Sequence, residues 1–394
     1  MLIQIIIAIL LGILAGIFTG LIPGIHINLI GALLISLIAK LLFQIPPIYL
    51  IVFITAMAIT HTFLDFIPSI LLGCPDTDTE LSILPGHNLL KKGEAYEAII
   101  LTTQGSLAAI FIFILLAFPS IKLIAKIQPI IQGIIPFLLI AVSIFLILTE
   151  KNKLLALKIF LLTGALGYTS SLLNSEQSLL PLLTGLFGTS MLIQSIKNKT
   201  IIPPQKITKP KIKKLRSLLG ATIAAPLCSF LPGLGSGQAA IIGSSISNQN
   251  QKEFLFLLGA TNTLVMAFSF LALYTISRTR TGATVAIKEI MGILSPQILI
   301  LIILTILISG IISFHITKII SLHAIKKAHK INYTKLSIGI LIFLTLIVLL
   351  ISGIKGFLIL IISTLTGIYA LKTPVKKTNM MGCLILPTII WYLF

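Results

Sequence analysis

The chain has 394 residues, of which 57% are hydrophobic and only 10% charged, with a formal net charge of +19. No soluble domain of this length could hide so much apolar side chain, so composition excludes a water-soluble protein and makes lipid the solvent. The basic excess lies in short lysine runs between apolar stretches, without interleaved aromatics. That pattern excludes nucleic acid as the partner and is the one the positive-inside rule gives to cytoplasmic loops.

In chain order, residues 2–22 form the first apolar segment. It carries no basic leader and no small-residue cleavage site, and so reads as a retained span. Pro23-Gly24 ends it inside "FTGLIPGIHINLIGALL", with His26 and Asn28 just beyond. A proline lacks the N–H that a helix needs and clashes with the preceding turn. Within hydrocarbon a broken helix is tolerated only where it is buried in protein or lines a cavity. Two readings stand for one such break: a tight turn at a membrane surface, or a binding site built from helix ends.

Further apolar segments are expected near 24–44, 48–73, 98–121, 129–149, 153–171 and 177–196. In the third, His61 precedes Asp65 by one helical turn, which puts both on one face. A charge at such depth costs at least ~2.5 kcal/mol and generally faces a cavity. Asp65 is read as part of a coupling-ion or proton site with His61; the alternative is that it only pairs with His61 or with backbone broken by Pro68. "CPDTDTE" then places Asp76, Asp78 and Glu80 at alternate positions. It has neither the glycine nor the distal glutamate of an EF-hand, and reads either as a solvated acidic loop or as a hard-cation site through Asp76 and Asp78. Cys74, Cys228 and Cys383 stand far apart, which excludes a disulfide framework and a zinc site.

Residues 197–216, "KNKTIIPPQKITKPKIKKLR", are polar, basic and interrupted by three prolines. They divide the chain into residues 1–196, a cytoplasmic linker, and residues 217–394. Seven apolar segments are expected on the second side too, near 217–231, 234–248, 253–277, 295–317, 336–353, 355–371 and 379–394, for about 12 full crossings. The break returns in "SFLPGLGSGQAAIIGSS" at Pro232-Gly233, followed by Ser236 and Gln238, and "THTF" at 60–63 is echoed by "TNTL" at 261–264. An odd number of segments per half makes the second repeat inverted relative to the first, with the paired breaks marking the binding site. "YTISRTRTGATVAI" holds two of only three arginines, Arg278 and Arg280. Such sparing use fits bidentate carboxylate binding, and the rival reading pairs them with Asp76 or Asp78.

"GLIPG", "LPGHNLLKKGEAYEAI" at 84–100 and "FLPGLGSGQAAII" resemble the TctA family, the large membrane subunits of tripartite tricarboxylate transporters, and most of all its archaeal branch. The likeness runs from about residue 12 to at least 290. It implies an internally duplicated permease that moves small organic acids on an ion gradient, with Pro23, Gly24, Pro232, Gly233 and the 86–95 loop at its functional parts. It also implies a small membrane subunit and a solute-binding protein as partners. Where bacterial members carry a Gly/Ser-rich uncharged stretch, this chain has "CPDTDTE", and it is short for the family.

The expected protein is therefore an all-α polytopic membrane protein of two inverted repeats with broken or re-entrant helices. It lies in the cell membrane with both basic loops in the cytoplasm, and homo-oligomers are open to it. It is a secondary permease for a small organic anion, without a cofactor and with Na⁺ or H⁺ as coupling ion. The expected substrate-binding residues are Pro23, Gly24, Asn28, Pro232, Gly233, Ser236, Gln238, Arg278 and Arg280; His61, Asp65, Asp76 and Asp78 are expected at the coupling ion. Two rivals are an intramembrane enzyme acting on a lipid-linked substrate, against which stands the lack of H-E-x-x-H and G-x-S-x-G motifs, and a non-transporting scaffold.

Overall fold

A computed structural model describes residues 2–22, 45–73, 79–173, 179–197, 203–208, 210, 212–230, 235–247, 249–328, 333–375 and 377–393. These residues are helical almost throughout, with no strand among them. That is the outcome lipid imposes, because a helix satisfies its own backbone polar groups. Seven described stretches are long and apolar enough to cross a bilayer: Leu2–Leu21, Pro47–Leu72, Ala95–Ile124, Lys153–Leu172, Gln251–Ile276, Pro296–Lys326 and Thr334–Leu371. The protein is a polytopic helical membrane protein. The segment expected at 24–44 lies outside the described residues.

Helix α1 (Leu2–Leu21) runs parallel to α2 (Pro47–Leu64). Tyr49 Oη donates to Gln4 at the start of the pair, Gly12 faces Phe53, Gly16 faces Met57 and Thr60, and Gly20 faces Leu64. Without a hydrophobic drive between helices in lipid, such seams of small residues associate through close van der Waals packing. Because the pair is parallel, Leu21 and Pro47 lie at opposite ends of it. After Asp65 the chain continues as α3 (Phe66–Leu72), and α4 (Ile83–Lys91) folds back on it with Gly86 against Ile70.

Two of the expected segments, 98–121 and 129–149, are one helical run, α5 (Ala95–Leu148). Next come α6 (Lys153–Leu172), α7 (Leu179–Leu183), a π-helical turn at Thr184–Thr189 and α8 (Ser190–Lys197). In the second half, α9 (Lys214–Phe230) and α10 (Ser236–Ser247) lie antiparallel, with Gly220 against Gly243 and Ser247. Their 17 and 12 residues span roughly 25 Å and 18 Å at 1.5 Å per residue, less than a ~30 Å hydrocarbon core. Helix α11 (Gln251–Ile276) starts from a capping box, in which the Asn250 side chain accepts from the backbone of Glu253 and Glu253 answers to Asn250. α12 (Gly282–Met291), α13 (Pro296–Ala328), α14 (Tyr333–Leu371) and α15 (Gly382–Leu393) complete the fold. α14 is interrupted at Gly353, whose φ of 61° and ψ of −161° no helix contains. The sequence places the division between 336–353 and 355–371 at the same point.

Helices α2–α3 and α11 are the core, buried on nearly every side, and they cross antiparallel: Thr62 meets Thr263, Asp65 meets Asn262, and beyond Ile70 and Gly86 the Pro85 carbonyl accepts from Gln251. On one side α5 runs parallel to α11, from the Lys252–Glu97 ion pair through Thr102 on Gly259 to Phe113 on Phe268. On the other, α13 lies along α2, with Ser313 donating to Thr60, and Gly310 packs on Ile110 of α5 with Ile59 beside it. The outer helices also pair through small residues: α6 with α15 through Gly164, Gly167 and Gly382, and the 179–197 stretch with α14 through Gly185 on Ser363 and Gly367 on Ser190.

Candidate functional site

The site begins with Pro68. It cannot donate to the Leu64 carbonyl, so the helix is weakened one turn earlier, and Asp65 becomes the joint between α2 and α3. The joint is held by Ser69, whose hydroxyl donates to the Asp65 carbonyl at 2.8 Å and shares a 2.6 Å hydrogen bond with Thr79. Asp65 itself is 3% exposed, and its Oδ2 accepts from Asn262 Nδ2 at 2.7 Å. At 1.5 Å per residue, Asn262 stands roughly 16 Å from one end of α11 and roughly 21 Å from the other, near the middle of a helix long enough to cross a bilayer. His61, one turn before Asp65, turns to α1, with Nδ1 3.1 Å from Thr19 Oγ1. Thr62 and Thr263, at the same positions of the two echoed motifs, share a 3.0 Å hydrogen bond. The result is a buried polar layer of one carboxylate, one imidazole, one amide and several hydroxyls.

The last described residues of α1 and α9 lie close to this layer. Gly20, one residue before the end of α1, lies against Leu64 and the backbone of Asp65. At the end of α9, Ser229 donates to the Val265 carbonyl, and the ring of Phe230 packs edge-on against Phe268. Since α9 and α10 are antiparallel, Ser236 at the start of α10 shares that end of the hairpin with Phe230. Ser236 and Gln238 are both 1% exposed. Gln238 Oε1 accepts from the Gly235 N–H at 2.6 Å, and its Nε2 is buried with no partner among the described residues. A donor in that position, at the positive end of a helix, suits an oxyanion.

The arginines lie at the same end. Arg278 donates to the Phe230 carbonyl at 3.2 Å and to Tyr392 Oη at 3.0 Å, and Arg280 donates to the Cys228 carbonyl. Both guanidiniums are thus turned to the last carbonyls of α9, groups with no partner within their own helix, where a cation also meets the negative end of the helix dipole. The expectation that they anchor substrate meets this competing engagement. Their rival pairing with Asp76 and Asp78 lies outside the described residues, as do Pro23, Gly24, Asn28, Pro232 and Gly233.

The 86–95 stretch, expected as a loop, is the end of α4 and the turn into α5, and it is clasped by the linker. Gln205 takes the Ala95 N–H at 3.0 Å and donates to the Leu90 carbonyl, the Lys206 N–H bonds the Gly93 carbonyl at 2.7 Å, and Thr208 donates to Glu97. Lys252 pairs with both Glu94 and Glu97, at 3.0 and 2.9 Å. Earlier on α4, beside the Ile70 backbone, burial, with the Lys91 charge adding to it, holds His87 down to about 4 from an ordinary 6.5. A histidine lowered in the folded state takes up its proton more readily when unfolded, so its contribution is complete above pH ~6.5 and is lost as pH falls towards 4. The melting temperature of the wild type should fall across that window relative to His87→Gln. At about 1.4 kcal/mol per pKa unit the difference reaches roughly 3 kcal/mol; parallel pH curves would remove His87 as the cause.

A family model, the tripartite tricarboxylate transporter TctA family, matches residues 6–382. The chain belongs to the TctA family. It is 35% identical over 357 residues to an uncharacterized protein of Methanocaldococcus jannaschii, covering 86% of this chain and 88% of that one. No solved structure matches. Membership makes this TctA protein the permease component of a transporter class that also includes a small membrane subunit and a solute-binding protein. Of the expected site residues, the fold joins His61 and Asp65 to one layer, and puts Ser236, Gln238, Arg278 and Arg280 at the tip of the α9–α10 hairpin. Asn262, Thr62, Thr263 and Thr19 belong to the layer too. Sequence reasoning noticed "TNTL" only as an echo, and the depth of Asn262 in an apolar helix was the signal that could have singled it out.

Proposed function

We propose that this TctA protein is a secondary-active permease for a small di- or tricarboxylate-like anion, driven by a cation gradient, with the buried layer at Asp65 as its coupling-cation site. The observation that carries the reading is the Asp65 carboxylate itself, 3% exposed, set opposite the middle of a membrane-length helix and hydrogen-bonded across the helix crossing. An intramembrane carboxylate is costly and belongs to ion pathways and relays. Oxygen-bearing side chains around it are the donors a hard cation takes. The anion is assigned to the hairpin tip, where Ser236 and Gln238 open α10, with Arg278 and Arg280 adding positive potential while holding the end of α9. Pro23, Gly24, Asn28, Pro232 and Gly233 complete the substrate site, and Asp76 and Asp78 stay with the coupling ion.

The two halves, residues 1–196 and 217–394, are read as inverted repeats joined by the 197–216 linker. Support comes from equivalent contacts made twice. α1 is parallel to α2 as α9 is to α11, Ser313 reaches Thr60 on α2 as Ser106 reaches the Gly259 carbonyl on α11, and the two central helices cross antiparallel. Alternating access follows if one repeat rocks against the other about the buried layer. Both basic loops are placed in the cytoplasm by their charge, and the partners are a small membrane subunit and a solute-binding protein.

The test is uptake by proteoliposomes offered labelled citrate, succinate and other di- and tricarboxylates under an imposed inward Na⁺ or proton gradient. Gradient-dependent accumulation of one acid is expected. Gln238→Ala should raise the anion KM about ten-fold, the cost of one buried hydrogen bond to a charged group, and leave the cation requirement unchanged. Accumulation with no gradient dependence would remove the secondary-active mechanism.

A further inference from the structure

We propose that Asn262 is a positioning residue that holds the Asp65 carboxylate at the crossing of α2 and α11, so that the coupling-cation site is built from both halves of the chain. The inference rests on the reading of Asp65 given above. Asn262 Nδ2 donates to Asp65 Oδ2 at 2.7 Å, and the two side chains are 2% and 3% exposed. The flanking residues show that the contact is specific to this side chain. Thr261 spends its hydroxyl on the carbonyls of Leu257 and Leu258 in its own helix, while Thr263 turns to Thr62. Close backbone contacts set the register of both helices at the match. α11 is pinned less than one turn earlier, where Gly259 sits on the Thr102 backbone, and α2 is pinned by Gly16 on Thr60 and Gly20 on Leu64.

Asparagine suits this place chemically. Its amide donates to the carboxylate through Nδ2 and keeps Oδ1 as an acceptor for a cation bound beside it. The cation would then be held by oxygens from both helices. A movement that parts the halves would separate Asp65 from Asn262 and open the site in the same step. The echoed position in the first half is His61, which faces Thr19 instead, so the two halves contribute unlike side chains to one layer.

The arrangement makes an unusual demand: the charge and the amide should be interchangeable between helices, because Asp and Asn have the same shape. The experiment measures proteoliposome uptake of whichever labelled acid, citrate or succinate, the wild type accumulates under an inward Na⁺ or proton gradient. The variants are Asp65→Asn, Asn262→Asp, Asn262→Leu and the double swap Asp65→Asn/Asn262→Asp. Each single Asp/Asn exchange should lose uptake, the first for want of a carboxylate and the second by setting two carboxylates together. The double swap should recover it to within about five-fold of wild type, since one charge-assisted hydrogen bond is remade. Asn262→Leu should raise the cation concentration for half-maximal uptake about ten-fold or more, with the anion KM little changed.

A double swap that regains the wild-type melting temperature but stays as inactive as Asp65→Asn would reduce Asn262 to a packing role and overturn the proposal. An Asn262→Leu variant with an unaltered cation requirement would do the same. If the wild type accumulates neither acid under either gradient, the permease reading fails and the role of Asn262 fails with it.

Discussion

Asp65→Asn should lose at least ~100-fold of cation-driven uptake while the protein stays folded, the reduction expected when a charged ligand is removed from a buried site. The substitution keeps the shape and leaves an oxygen to accept from Asn262, whose amide donates to Asp65 at 2.7 Å. What it removes is the charge. Burying a carboxylate carries a desolvation cost that a neutral amide does not, so the melting temperature of the variant should equal or exceed that of the wild type. That combination separates function from folding: a residue kept for packing would lower stability when replaced and leave transport per folded molecule intact. Uptake in proteoliposomes, normalised to reconstituted protein, with melting followed in detergent, gives both readings. Full gradient-dependent uptake by Asp65→Asn would take Asp65 out of the mechanism.

Much of this was legible because lipid simplifies the code. Composition alone dictates an all-helical membrane protein, and the boundary expected between 336–353 and 355–371 falls at the break at Gly353. The partners within that layer were not legible, for a physical reason. Amphipathic periodicity tells which face of a helix meets water, and α2 and α11 meet none. A helix that is apolar all round carries no stripe to say which neighbour each side chain faces. His61 and Asp65 do lie one turn apart, yet they part company: one turns to Thr19 on α1, the other to Asn262 on α11. The arginines were obscured differently. Arg278 and Arg280 are separated by 48 and 52 residues from the carbonyls they satisfy, and the unmet acceptors at the end of α9 become a target only once that helix is known to stop at Phe230.

A large loss of stability should come from a single methyl group at Gly259. A Cβ there would stand 2.0 Å from the Thr102 carbonyl oxygen and 2.6 Å from its carbon, backbone atoms that cannot swing aside. The reciprocal contact is as close, since a Cβ on Gly105 would lie 2.0 Å from the Phe256 oxygen. α5 and α11 would have to separate, and in lipid nothing replaces the lost contacts except tails of equal polarity. Overpacking in a well-packed core typically costs about 1–3 kcal/mol, and two rigid backbones put Gly259→Ala at or above the top of that range, with Gly259→Val failing to give a monodisperse protein. Gly339→Ala is the control, because nothing lies within 4 Å of its added Cβ and an exposed helical glycine gains about 0.5–1 kcal/mol from alanine. Melting in detergent should therefore fall steeply for the first and hold or rise for the second; equal midpoints would mean that the seam has room to spare. The same seam ties stability to transport. Gly259 lies less than one turn from Asn262, so any separation that relieves the methyl also draws the amide away from Asp65. Gly259→Ala molecules that remain folded should accordingly need more cation for half-maximal uptake, in the same direction as Asn262→Leu.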